Sequence, residues 1–293
     1  MIKISSDRLE AALFEPGEGK NSKTRFDRAG FIFQVILDGK QHFCGVEPDN
    51  LAHPGTGGAG LCGEIRQAGE GAELENSACF PKFGVGLIHK KGNEPYRFFD
   101  RYECDFFDTT FEPSTSSVTF TVRPKPYEGY ALKEKKVVAL RDNTLSTEIY
   151  FENTGDKPLE LREYNHNFVT LADHPADEHV RLLLPTLSSQ EGKRAEQGGG
   201  TMRGGVSGFG FTGIGRSPSM IGVSADEIDK SKPFAWTLMS DDSDVSITEE
   251  TSFIPSDIII WSIGTIVSPE VFHTMTVMPG CGVSYSRVWT FRN

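Results

Sequence analysis

The chain has 293 residues, with 41 Asp and Glu against 30 Lys and Arg, a net charge of −11 and no basic stripe. That balance argues against nucleic acid and anionic membrane surfaces as partners, and suits a neutral, small or sugar-like ligand better. The length allows two average domains or one large all-β unit, and it suffices to bury a sizeable core.

The N-terminal run Met1-Ile2-Lys3-Ile4-Ser5-Ser6-Asp7 lacks the apolar stretch of a signal peptide, and no segment approaches membrane-spanning length. A cytoplasmic location without a membrane partner is the expectation. The cysteines Cys44, Cys62, Cys79, Cys104 and Cys281 are odd in number and show no CxxC spacing. Neither Cys62 nor Cys79 has an obvious base beside it in the sequence, so all five read as structural thiols.

In chain order the elements read as strands almost throughout. The first spans 29–37, and Asp38-Gly39 turns it into a partner at 41–44. The glycine-rich stretch 55–66 and Phe80-Pro81-Lys82-Phe83-Gly84-Val85-Gly86-Leu87 follow. Their glycines suit turns or loops packed close over a cleft. A phosphate-binding loop is not indicated, because neither GKS nor GKT follows and no helix begins there. Glu64, Arg66 and Lys82 are the charged groups this region offers to a ligand.

Ser117-Val118-Thr119-Phe120-Thr121-Val122 alternates cleanly, with Val118, Phe120 and Val122 on one face. A strand is expected at 130–139, and Leu145–Phe151 alternates again, with Leu145, Ile149 and Phe151 inward. Asn153-Thr154-Gly155-Asp156-Lys157-Pro158 reverses the chain. The next strand ends in Glu163-Tyr164-Asn165-His166-Asn167-Phe168, which sets one histidine among amides and aromatics. Imidazole exchanges protons near neutral pH, so His166 is a candidate acid or base. The alternative is a structural histidine bonded to backbone.

His174 and His179 stand in an acidic stretch whose spacing matches no tight metal motif, so no metal site is expected there. A strand at 181–185 leads to Ser188–Gly205, rich in Ser, Gly and charge, which reads as a mobile loop. A short helix is the best reading of 224–230, and further strands fall at 245–250, 257–264, 271–278 and 283–291. Between the third and second last, Val267-Ser268-Pro269-Glu270-Val271-Phe272 reads as a rigid loop presenting Glu270 just after a proline. Met278-Pro279-Gly280-Cys281-Gly282 is a further turn. So many alternating strands need two layers, which gives an all-β antiparallel sandwich formed as one domain over 1–293.

Three features together resemble the aldose 1-epimerase, or galactose mutarotase-like, superfamily. Asn165-His166-Asn167-Phe168 matches its Asn-His-aromatic motif. Ser268-Pro269-Glu270-Val271-Phe272 followed by Pro279-Gly280 matches the order of its Glu segment, and Arg25-Phe26-Asp27-Arg28-Ala29-Gly30-Phe31-Ile32 its early strand. The resemblance implies a large β-supersandwich and interconversion of α and β anomers of an aldose, with Glu270 as base, His166 as acid and no cofactor or metal. Glu64, Lys82 and Asn165 would grip the sugar. Glu64 stands near the place of the family's substrate-binding Arg, and Lys82 where a second His falls. The partners implied are a small carbohydrate and, at most, a second copy of the chain in a homodimer. The competing readings are a non-catalytic carbohydrate-binding protein of the same fold and a polysaccharide lyase or hydrolase.

Overall fold

The computed structural model describes residues 1–48, 56–92, 94–171, 176–188, 190–206, 208–213 and 215–293. Among these residues the strands form three antiparallel sheets, of nine, eleven and three strands. The nine-stranded sheet is centred on Leu159–Asn167, flanked by Leu61–Gln67 on one side and Ile266–Val277 on the other. Beyond Ile266–Val277 come Asp257–Ile263 and Ser219–Ser224, and beyond Leu61–Gln67 come Ile32–Leu37, Leu9–Leu13 and Ile2–Ser5. The eleven-stranded sheet packs against its inner face and holds Leu132–Arg141, Thr144–Asn153, Ser246–Thr251 and Gly282–Arg292 near its middle. This is the two-layer solution that the alternating pattern demands.

Side chains of both sheets interleave in the core, with Leu9, Val35, Val118, Phe120, Trp236, Ile260 and Trp289 all buried. A second apolar cluster, which includes Phe14, Phe26, Phe31, Cys62, Phe168 and Trp261, lies apart from that core. The three-stranded sheet, Cys79–Lys82, Gly86–His89 and Glu103–Phe106, lies near this side, and Lys82 reaches from it to Glu64 on Leu61–Gln67.

Several turns follow the chemistry of their residues. Asp38 and Gly39 both adopt positive φ, 52° and 67°, and close the hairpin between Ile32–Leu37 and Gln41–His42. Three expectations need correction. The segment 188–205 is not a mobile loop in its described residues: Arg194–Gln197 pairs with Gly200–Gly204 across a turn in which Gly198 and Gly199 have φ of 60° and 93°. The same glycines that suggest flexibility supply the left-handed conformations of a tight hairpin. The expected helix at 224–230 shrinks to one 3-10 turn, Ala225–Glu227, held by a capping box between Ser224 and Glu227. Glu270 lies in no loop. Gly264, with φ 60°, turns the chain directly after Ile263, and a strand resumes at Ile266 and runs through Pro269 and Glu270 to Val277.

Candidate active site

The site grows from three neighbouring strands. Alternation along Leu159–Asn167 sends Tyr164 and His166 to the outer face of the sheet, and Glu163, Asn165 and Asn167 to the inner face. The register pairs Tyr164 with Glu64 on one side and Phe272 on the other. Two residues further along, the same register sets His166 beside Cys62 and opposite Glu270. Glu64, Arg66, Tyr164, His166, Ser268, Glu270 and Trp261 therefore share one face.

His166 Nε2 lies 3.2 Å from Glu270 Oε1, and His166 Nδ1 lies 2.6 Å from Ser268 Oγ. The imidazole stacks on Phe168 with ring centroids 3.8 Å apart, and Trp261 and Phe26 stand edge-on to it. Both His166 and Glu270 are buried. Burial pushes the Glu270 carboxyl up to about 8, against the downward pull of Arg25 and Arg66. Burial, aided by the same Arg25 and Arg66, holds the His166 imidazole well below its ordinary range. Both shifts favour the uncharged forms, a protonated carboxyl beside a neutral imidazole, because burial penalises charge on either group. The base and acid that the resemblance implies are thus two buried groups in direct contact.

Beside the pair sits a dense ionic knot around Glu64. Lys82 Nζ and Arg66 Nε donate to its Oε1 at 2.8 and 2.9 Å. The Tyr164 hydroxyl, Arg66 Nη2 and Arg25 Nε donate to its Oε2 at 2.5, 3.1 and 3.2 Å. A carboxylate offers about four lone-pair directions, so protein donors already saturate Glu64. Burial alone would raise its pKa, but Lys82, Arg66 and Arg25 outweigh that and hold it well below the usual carboxylate range. Arg25 is itself sandwiched between the Phe26 and Phe98 rings, 4.4 and 4.3 Å from their centroids.

The structure thus brings His166, Glu270, Glu64 and Lys82 to one face, the last two bonded to each other. Asn165 is a correction: it points to the inner face, where its Nδ2 donates to Asn167 Oδ1 at 2.7 Å. Asn167 in turn donates to Glu249 at 3.0 Å and to the Pro269 carbonyl at 2.7 Å, and Glu249 accepts from Arg287. Consecutive residues of a strand face opposite ways, so neighbours of His166 in sequence are not its neighbours in the site. The residues at i±2 are, and Tyr164 and Phe168 were legible by that rule. Arg25 is an addition with no local signal, because it meets the site through loop placement, and Ser268 stands two residues before Glu270 on a strand that the sequence reads as a loop. The acidic stretch gives no shared ligand set in its described part: His179 Nδ1 pairs with Asp242 at 2.9 Å, while His174 lies outside the described residues.

No protein-family model matches this chain, and no curated protein does. Solved structures do match, and they define the class: this is the galactose mutarotase-like fold. A protein of Synechocystis matches with a TM-score of 0.62 at 12% identity, over 99% of this chain and 94% of its own. A galactose mutarotase related enzyme of Lactobacillus acidophilus matches at 0.60 and 11% identity, over 100% and 97%. A galactose mutarotase-like protein of Lactobacillus casei matches at 0.59 and 16% identity, over 100% of both chains.

Proposed function

We propose that this protein interconverts the anomers of an aldose by acid–base opening and closing of the pyranose ring, with His166 and Glu270 as the exchanging pair. The observation that carries the reading is the 3.2 Å contact of an imidazole and a carboxyl on one sheet face, with the carboxyl pushed up to about 8. Ring opening needs one group to take the proton of the C1 hydroxyl and another to protonate the ring oxygen. A protonated carboxyl beside a neutral imidazole meets that requirement in either direction. When the proton passes from Glu270 to His166, the carboxylate is the base and the imidazolium the acid. Closure on the other face of the sugar returns both protons, so the pair ends as it began. Ser268 holds the Nδ1 side of the ring, and the Phe168 stack and Trp261 edge fix its plane.

The test is anomer exchange measured by polarimetry or saturation-transfer NMR over a panel of aldoses. We expect acceleration of at least one sugar, and a loss of roughly 10²- to 10⁴-fold in His166→Ala or Glu270→Ala with the fold intact. Unchanged rates in both variants would sink the acid–base assignment. The burial of both groups favours, as second reading, a carbohydrate-binding protein without turnover. That reading gains if the wild type binds a sugar by calorimetry yet accelerates none.

A further inference from the structure

We infer that the three-stranded sheet carries a second, nucleophilic site, a Cys79–His89–Asp105 triad that accepts acyl groups from small ester or thioester donors. The inference is independent of the sugar reading and corrects the assignment of Cys79 as a merely structural thiol. Cys79 Sγ lies 3.2 Å from His89 Nδ1, and His89 Nε2 lies 3.1 Å from Asp105 Oδ2. Nucleophile, base and orienting carboxylate stand in line across three adjacent strands, which is the arrangement that activates a thiol toward acyl transfer.

The sheet geometry explains how this arises. Cys79 and His89 are cross-strand partners, and the neighbouring Lys90 N–H donates to the Ala78 carbonyl. That places Cys79 and His89 at the non-hydrogen-bonded position, where side chains approach most closely. Asp105 pairs with Leu87, so it sits diagonally from His89 on the same face. Alternation turns Phe80 and Lys82 the other way, Lys82 toward Glu64, and leaves Cys79 on the outer side. The His89 and Asp105 side chains are 38% and 56% exposed, so a small donor can reach them.

The two ring nitrogens are engaged on opposite sides, so sulfur and carboxylate do not share a metal between them. In the tautomer that carries its proton on Nε2, His89 donates to Asp105 and its Nδ1 lone pair faces the thiol. Of the remaining cysteines, Cys44 and Cys62 are buried, and Cys104 is half-buried on the strand Glu103–Phe106. Cys281 lies exposed on a turn.

In the proposed step the Cys79 Sγ–acyl bond forms as the bond from the acyl carbon to the leaving oxygen breaks. The thiol proton passes through His89 Nδ1 to that oxygen and releases an alcohol. Water then attacks the thioester, His89 takes its proton, and the carboxylic acid leaves as the thiol is restored. The net change is ester plus water to acid plus alcohol.

The experiment uses p-nitrophenyl acetate with the full chain carrying Cys281→Ser, which removes the exposed thiol. The expected result is a stoichiometric burst of p-nitrophenolate, with the acetyl group found on Cys79 by peptide mass spectrometry. Cys79→Ser abolishes both. His89→Ala slows acylation by roughly 100-fold or more, the scale of positioned proton transfer. Asp105→Asn, a milder change should His89→Ala disturb the sheet, also lowers the rate. A burst that survives Cys79→Ser, an acetyl group found only on other side chains, or acylation at the parent rate in both His89→Ala and Asp105→Asn would overturn the triad.

Discussion

Glu64 and Glu270 are both buried carboxyls on the same sheet face, flanking the same central strand, yet they are driven to opposite protonation states. Three cations and a hydroxyl converge on Glu64 and keep it ionised well below the usual range. Among the described residues Glu270 has only the His166 ring at 3.2 Å beside its Oε1 as an ion-pair candidate, an imidazole itself held below its ordinary range, and burial raises the carboxyl to about 8. Desolvation acts on both; what differs is whether enough positive charge touches the oxygens to repay it. The saturated carboxylate organises its surroundings, and the poorly compensated one is left able to trade a proton near neutral pH.

The comparison breaks first at Glu64. Glu64→Ala leaves Arg25, Arg66 and Lys82 without their shared counter-charge, and should cost about 3–5 kcal/mol in denaturant unfolding. A loss below about 1 kcal/mol would show that the knot is solvated rather than structural. The next largest effect concerns Glu270 and pH. Its folded pKa lies above the ordinary 4.5, so the folded state holds the proton more tightly. Stability is therefore fully present below about pH 4.5 and is lost as pH rises toward 8. Glu270→Gln should flatten that decline, which parallel urea titrations of both proteins at several pH values would reveal; identical slopes would contradict the raised value.

Two smaller changes sharpen the contrast. Ser268→Ala removes the partner of His166 Nδ1, and should lower kcat/KM for anomer exchange roughly two- to tenfold, the worth of one hydrogen bond. An effect as large as that of His166→Ala would mean that Ser268 moves the proton itself. Asn165→Ala faces the inner network instead. It should cost about 1 kcal/mol of stability and leave the sugar kinetics nearly unchanged. A large fall in kcat/KM at normal stability would return Asn165 to the site.

Much of the architecture was legible along the chain. The alternating runs at 117–122 and 145–151 coincide with Ser117–Arg123 and Thr144–Asn153, because period-2 burial is a local property. The sequence missed the strand Leu61–Gln67, whose glycines read as turns although Glu64 and Ile65 lie buried within it. It likewise placed Glu270 in a loop, since a proline usually marks an edge, whereas the tight turn at Gly264 starts the strand earlier. Cys79 offered no signal at all, because its base stands on the next strand.

By itself the sequence specified an all-β chain, several of its turns, and the alternation along its clearest strands, such as Val118, Phe120 and Val122 on one face. Those follow from dihedral preferences and a two-residue repeat, which act between near neighbours. Only the tertiary structure decided that Glu270 meets His166, that Arg25, Arg66 and Lys82 close on Glu64, and that Cys79 finds His89. Strand order and register join residues far apart in the chain, and burial then sets the charge each carries. Neither is written in any local pattern.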